Sequence, residues 1–192
     1  DNIIGNLAKK AEKKGFKIFM VTPDKDFAQL VSDNIFMYRP ARMGNEIEIW
    51  GIPEVQEKFQ VEKPEQVIDY LGMMGDSVDN IPGLPGVGDK TAKKFLAEYG
   101  SMENLLNNTY KIKGKLKEKI EANKELGLLS KELAKIILNV PVDFNAGEFK
   151  LDNPDMDLVD EVFEELEFRR LKDSFKKVFE SEKKNLEKKI IE

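Results

Sequence analysis

The chain lacks both cysteine and histidine in its 192 residues. Without cysteine there is no disulfide framework and no thiolate metal site. Without histidine the usual general base and the usual zinc ligand are missing. A bound metal must then be held by oxygen, which favours Mg²⁺, Mn²⁺ or Ca²⁺. Cysteine-free composition also fits a cytoplasmic protein. No apolar run approaches the ~18 residues of a membrane span, so no membrane partner is expected. The opening Asp1-Asn2 carries no basic-then-apolar leader pattern. Excess positive charge is lacking too, because the formal net charge is −5. What is present is enough apolar content, 41%, to bury a core in one domain or one domain plus a subdomain.

The pattern changes character along the chain. Ile3, Ile4, Leu7, Ala8 and Ala11 recur at helical spacing up to Lys14, and Gly15 ends that helix. Phe16 to Val21 is a short apolar run of the kind seen in buried strands. A turn, Thr22 to Asp26, leads into a helix through Phe27, Leu30 and Val31. Strands are expected over 34–38 and 46–50, with Met43-Gly44-Asn45 turning between them. This alternation is an α/β signature. Beyond Trp50 the pattern is helical: 53–59, 64–73, 91–99, a short helix capped by Ser101, 113–122 and 124–138. The last of these carries Leu126, Leu129, Leu133, Ile136 and Ile137 as a stripe. A loop over 139–154 precedes an apolar helix near 158–166 and a Lys/Glu-rich tail. Between 111 and 135 eight lysines face four glutamates, which makes either a basic footprint or a solvated helix face.

Three groups of residues carry candidate chemistry. Asp24 and Asp26 lie just past the carboxyl end of the first strand, where α/β folds form their sites. They equally suit a helix start, Asp24 as cap and Asp26 in the first turn. Asp76 and Asp79, three residues apart, share a face on a helical turn, and a cation would relieve their repulsion. The alternative is a cap or a turn before Pro82. Next come Gly83, Gly86, Val87 and Gly88, with Lys90, Thr91, Lys93 and Lys94 behind them. Glycine lets a phosphate approach bare backbone, and amides at a helix N-terminus bind anions. The alternative is an ordinary Gly/Pro turn, which leaves the clustered lysines unexplained. No side chain of the hairpin suits base edges, so binding would not depend on sequence.

Asp24-Lys25-Asp26, Gly75-Asp76-Ser77-Val78-Asp79-Asn80-Ile81-Pro82-Gly83 and Gly86-Val87-Gly88-Asp89-Lys90-Thr91-Ala92 resemble the 5′-nuclease domain of bacterial DNA polymerase I, of the flap-endonuclease superfamily. The resemblance runs from Asp1 to about Phe175. It implies an α/β fold: a partial PIN-like core with a small sheet, then a mostly helical helix–hairpin–helix subdomain of the three-turn type. The implied boundaries are a core over 1–60, a DNA-binding subdomain over 61–140, a helical return onto the core over 141–175 and a charged tail or linker over 176–192. It implies two divalent ions, Mg²⁺ or Mn²⁺, with Asp24, Asp26, Asp76 and Asp79 as catalytic metal ligands and Asp1 as a further ligand. Gly83 to Lys94 would hold duplex DNA, with K⁺ at the hairpin. The substrates implied are duplex and 5′-flap DNA, cut by metal-assisted hydrolysis. The family's Glu-Ala-Asp-Asp helix start is incomplete here, since Asn2 stands where its last Asp does. The family's N-terminal nuclease segment would precede Asp1, and polymerase domains would belong to the same protein. The expectation is therefore a fragment with half a carboxylate cluster, inactive alone, and with sheet edge and apolar surface uncovered.

Overall fold

A computed structural model describes residues 1–41 and 46–179. The expected turn at Met43-Gly44-Asn45 and the tail beyond 179 lie outside the described residues. The chain divides into two compact units, Asp1–Asn145 and Ala146–Glu192.

In the first unit, helix α1 (Asn2–Lys13) leads to strand β1 (Ile18–Val21). A 3₁₀ helix, Lys25–Leu30, connects β1 to β2 (Ile35–Arg39), which β3 (Glu48–Trp50) follows. The sheet order is β1-β2-β3, with β1 parallel and β3 antiparallel to β2. The register pairs Met20 with Met37 and Met37 with Trp50 on one face, and that face is buried. The alternate face carries Phe19, Val21 and Ile49, all exposed, with Phe19 stacked on Phe36 at 5.5 Å. The run over 16–21 is therefore not the fully buried strand that its apolar content implies. β1 is an edge strand in this chain, with helices covering one side only, so period-2 alternation splits its side chains between core and solvent.

The helical part comprises α2 (Ile52–Phe59), a 3₁₀ turn at Pro64–Gln66, α3 (Val67–Met74), α4 (Asp89–Tyr99), α5 (Met102–Asn107), α6 (Lys115–Ala122) and α7 (Lys124–Ala134). Ser101 caps α5 by accepting from the Asn104 amide at 3.2 Å. The apolar stripe expected on α7 is not what α7 buries. Leu129 and Leu133 are exposed and Leu126 is half-buried, and the buried positions of α7 are Gly127, Ser130 and Ala134; Ile136 of the stripe is buried, but beyond the end of the helix. Small residues prevail because α3 crosses at backbone contact. A methyl group on Gly72 would sit 2.7 Å from the Cα of Lys131. α7 also stops at Ala134 instead of 138, because side chains claim the next backbone groups. Gln29 accepts from the Ile136 amide (2.9 Å) and donates to the Ala134 carbonyl (3.0 Å). Asn2 accepts from the Ile137 amide (2.9 Å), and buried Asn6 donates to the Ile137 carbonyl (2.7 Å). Side chains from the sheet half thus fasten the end of the helical half. One continuous core runs from Met20, Ile35 and Met37 through Leu71 and Met73 to Leu84, Met102 and Ile120.

The second unit, as far as it is described, is a pair of helices. α8 (Met156–Glu165) starts at Asp155, whose carboxylate accepts from the Asp157 and Leu158 amides. Glu167, in the left-handed region at φ 56°, turns the chain into a helix over 169–179. Phe163 meets Phe175 edge-on at 5.7 Å, and Lys176 pairs with Asp160 at 2.7 Å.

Candidate metal centre and nucleic-acid interface

The parallel pairing of β1 and β2 puts their carboxyl ends side by side. β1 delivers the segment Thr22–Asp26, and β2 delivers Arg39. Asp24 caps the 3₁₀ helix, accepting from the Asp26 amide at 3.0 Å, so the capping role that the sequence allows is realised. This turns the Asp26 side chain inward, where it is buried. There it meets the turn after α3. Asp76 and Ile81 exchange two backbone hydrogen bonds (2.8 and 2.7 Å), and Asp76 Oδ1 accepts from the Val78 amide at 2.8 Å. The tight loop 76–81 presents Asp76 and Asp79 together.

Ligand atoms of Asp26, Asp76 and Asp79 lie within 4.8 Å of one another. Asp24 stands beside this group, close enough for its charge to act on Asp26. Asp1, exposed at the N-terminus of α1, is not in it. Among the described residues Asp26 Oδ1 is buried without a hydrogen-bond donor. Burial, then the charges of Asp24, Asp79 and Asp76, push its carboxyl up to about 6 against the pull of Lys25. Asp76 moves the other way. Burial opposes the shift, but the Lys25 ammonium and the Val78 amide hold it below the usual carboxylate range. Lys25 hydrogen-bonds Asp76 and lies 3.8 Å from Asp26.

Clustered carboxylates and an orphan buried oxygen are what a hard divalent cation satisfies, and the donor set is all oxygen. Lys25 is the internal substitute, a single positive charge where a cation would bring two. These residues therefore fit a divalent metal.

The hairpin is bolted to the same turn. Gly83, at φ 67°, crosses Gly75, at φ 78°, so closely that a methyl on Gly83 would lie 2.5 Å from the Gly75 nitrogen. Gly83 is thus bare because it packs directly against Gly75. Its amide donates to Ser130 Oγ at 3.0 Å, and Leu84 fills the space left by Gly127 on α7. Val87 is buried, while Gly86 and Gly88 remain exposed. The Gly88 carbonyl accepts from the Thr91 and Ala92 amides, which leaves the leading amides of α4 at Asp89 and Lys90 for an anion. Lys90 and Lys94 are exposed on α4. Lys93 is not with them, because it turns to Asp89 at 2.8 Å. α6 contributes instead: a methyl at Gly86 would lie 3.8 Å from Lys119 Nζ. The lysine-rich run over 111–135 was the sequence signal for that contact.

Two family models match, 5′-3′ exonuclease, N-terminal resolvase-like domain over residues 1–60, and 5′-3′ exonuclease, C-terminal SAM fold over residues 62–157. The chain belongs to the 5′-3′ exonuclease family. Among curated exonuclease-family relatives, DNA polymerase I of Bacillus caldotenax is 38% identical over 98% of this chain and 21% of its own length. The 5′-3′ exonuclease of Aquifex aeolicus is 38% identical over 93% of this chain and 59% of its own length. The chain therefore spans about a fifth of the polymerase relative and three fifths of the separate exonuclease. The PIN-like nuclease fold is shared with solved structures. T5 5′-exonuclease with zinc bound matches 69% of this chain and 48% of its own, at TM-score 0.62 and 21% identity. The catalytic core of Rad2 in complex with DNA substrate matches 83% and 55%, at TM-score 0.59 and 18% identity.

The candidate site has a wider lining than the motifs announce. A cleft of about 630 Å³ contains Asp24, Asp76 and Asp79 together with Arg39, Lys58, Tyr70 and Lys93. Tyr70 donates to Asp89 at 2.7 Å, and burial, then that bond, raise its hydroxyl far above its ordinary value. Arg39, Lys58 and Tyr70 follow no motif and surface only once the strands and α2 and α3 are assembled.

Proposed function

We propose that this chain is the C-terminal part of a metal-dependent 5′→3′ exonuclease and flap endonuclease of the DNA polymerase I type, acting in DNA replication and repair. The observation that carries this is the coupling of the carboxylate group at Asp26, Asp76 and Asp79 to the glycine hairpin through the Gly75–Gly83 crossing. The hairpin amides and Lys90, Lys94 and Lys119 hold the duplex backbone without regard to sequence. The three carboxylates hold Mg²⁺ or Mn²⁺, and a bound divalent ion there supplies an activated water and charge stabilisation for phosphodiester hydrolysis. Against the effect of burial, the Lys25 ammonium holds the Asp76 carboxyl below its ordinary range.

Asp1 lies outside the group, which leaves three grouped carboxylates with Asp24 beside them. This favours a second reading of the isolated chain as a DNA-binding piece that needs further acids to turn over. Mn²⁺ titration followed by NMR, with and without a 5′-flap duplex, tests both. Broadening at Asp26, Asp76 and Asp79, DNA-induced shifts at Gly86 to Lys90, and no cleavage are expected. Broadening elsewhere would overturn the metal assignment, and flap cleavage by the isolated chain would overturn the second reading.

A further inference from the structure

The cleft has a basic wall that metal binding does not use. Four acids and four bases line it. Two of the bases are spoken for, Lys25 by Asp76 and Lys93 by Asp89. Arg39 and Lys58 have no acid partner within the lining; Arg39's partner, Glu48, lies outside it. The Arg39 guanidinium lies 4.1 Å from the Trp50 ring centre, and Lys58 Nζ lies 5.8 Å from it. Trp50 is itself pinned, donating to Glu48 at 2.9 Å and meeting Phe59 edge-on at 6.2 Å. At 5% exposure its ring has no free face for a base, so it is a platform and not a stacking partner.

Stacking leaves the edge of a guanidinium available, and the guanidinium fork matches phosphate geometry. Arg39 spends part of that edge on the Pro23 carbonyl (3.2 Å) and approaches Glu48 only at 3.9 Å. Among the described residues Lys58 makes no ion pair and is exposed. Both also line the adjoining groove, with Pro23, Pro40, Ala41, Glu46 and Glu48, so each side chain is reachable from outside the cleft. A divalent ion on the acids would make this balanced cleft net positive, which suits a polyanion.

We propose that Arg39, held on Trp50, and Lys58 bind backbone phosphates of the DNA strand whose scissile bond lies at the carboxylates. Arg39 and Lys58 position this strand, whereas the hairpin holds the duplex. The inference rests on the nuclease reading above.

The test is fluorescence anisotropy of a labelled 5′-flap duplex, titrated with this chain in Ca²⁺ at several salt concentrations. Arg39→Gln with Lys58→Gln should flatten the slope of log affinity against log salt by about 1.4, the value for two single-strand phosphate contacts. Near 0.1 M salt the same loss weakens binding on the order of 20-fold. Arg39→Lys should keep the slope and lose affinity, because an ammonium lacks the stacked fork. Unchanged slope and affinity in the double variant, with Lys90→Gln and Lys94→Gln still weakening binding, would overturn this inference and leave the nuclease reading standing. No DNA binding by the wild-type chain would overturn both.

Discussion

Two glycines of the hairpin are bare for opposite reasons, and alanine substitution separates them. At Gly83 the backbone is left-handed, φ 67°, and a methyl would meet the Gly75 nitrogen at 2.5 Å, the Met74 carbonyl carbon at 2.7 Å and the Gly75 Cα at 2.8 Å. All three are backbone atoms, so no side chain can swing aside. The left-handed conformation costs alanine about 1–2 kcal/mol. Overpacking adds about 1–3 kcal/mol. Restricting the unfolded chain returns about 0.4–1 kcal/mol. Gly83→Ala should therefore cost about 1–5 kcal/mol, a Tm drop of roughly 3–15 °C for a unit of this size. At Gly88, φ is −110° and an added methyl meets nothing within 4 Å. There alanine loses a modest cap preference and gains in unfolded-state entropy, so Gly88→Ala should stay within about 1 kcal/mol. Urea and thermal melts followed by circular dichroism measure both. If Gly83→Ala melts with the wild type, or Gly88→Ala falls as far, the packing argument is wrong.

Three further outcomes are expected. Asp26→Asn relieves crowding between two buried carboxylates, Asp26 and Asp76, and the exposed Asp79 beside them, so the metal-free chain should gain about 1–2 kcal/mol while losing the Tm increase that Mn²⁺ gives the wild type; a less stable metal-free variant would contradict this. Lys131 sits between Asp69 (2.6 Å) and Glu103 (2.7 Å), and Lys131→Met should cost about 2–3 kcal/mol by leaving Asp69 uncompensated. Burial opposes the shift at Glu103, but the Lys131 bond lowers it below 4.5. That contribution is therefore present above pH 4.5 and lost as pH falls, so Lys131→Met should flatten the acid limb of urea-measured stability; an unchanged limb would refute the pairing. Lys90→Gln and Lys94→Gln should each reduce the salt slope of duplex binding by about 0.9, equally for unrelated sequences; a sequence-dependent loss would argue against a backbone grip.

Much of this architecture was legible in the chain because local chemistry and fold agree. Gly15, Gly100 and Ser101 end or start helices where their backbone and side-chain preferences place them. The acids at 26, 76 and 79 were visible because each sits in a turn signal. What stayed hidden depends on partners far along the chain. The burial of α7 through Gly127, Ser130 and Ala134 follows from α3 crossing at Gly72, and periodicity of large apolar residues pointed to the wrong face. The end of α7 is set by Gln29, Asn2 and Asn6, more than 100 residues away. Lys93 looked like a hairpin lysine until Asp89 and Tyr70 were seen to draw it into the cleft. Gly83 packs directly against Gly75, which its place in the hairpin did not announce.

The crossing of Gly75 and Gly83 has a mechanical consequence. With the paired backbone bonds between Asp76 and Ile81, it leaves the acid turn and the glycine hairpin no hinge between them. A strand gripped at Gly86 to Lys90 is then held at a fixed offset from Asp76 and Asp79, as on a ruler whose graduations are peptide units. On the function proposed above, the position of a cut would be set by length along the duplex, and the identity of the bases would not enter.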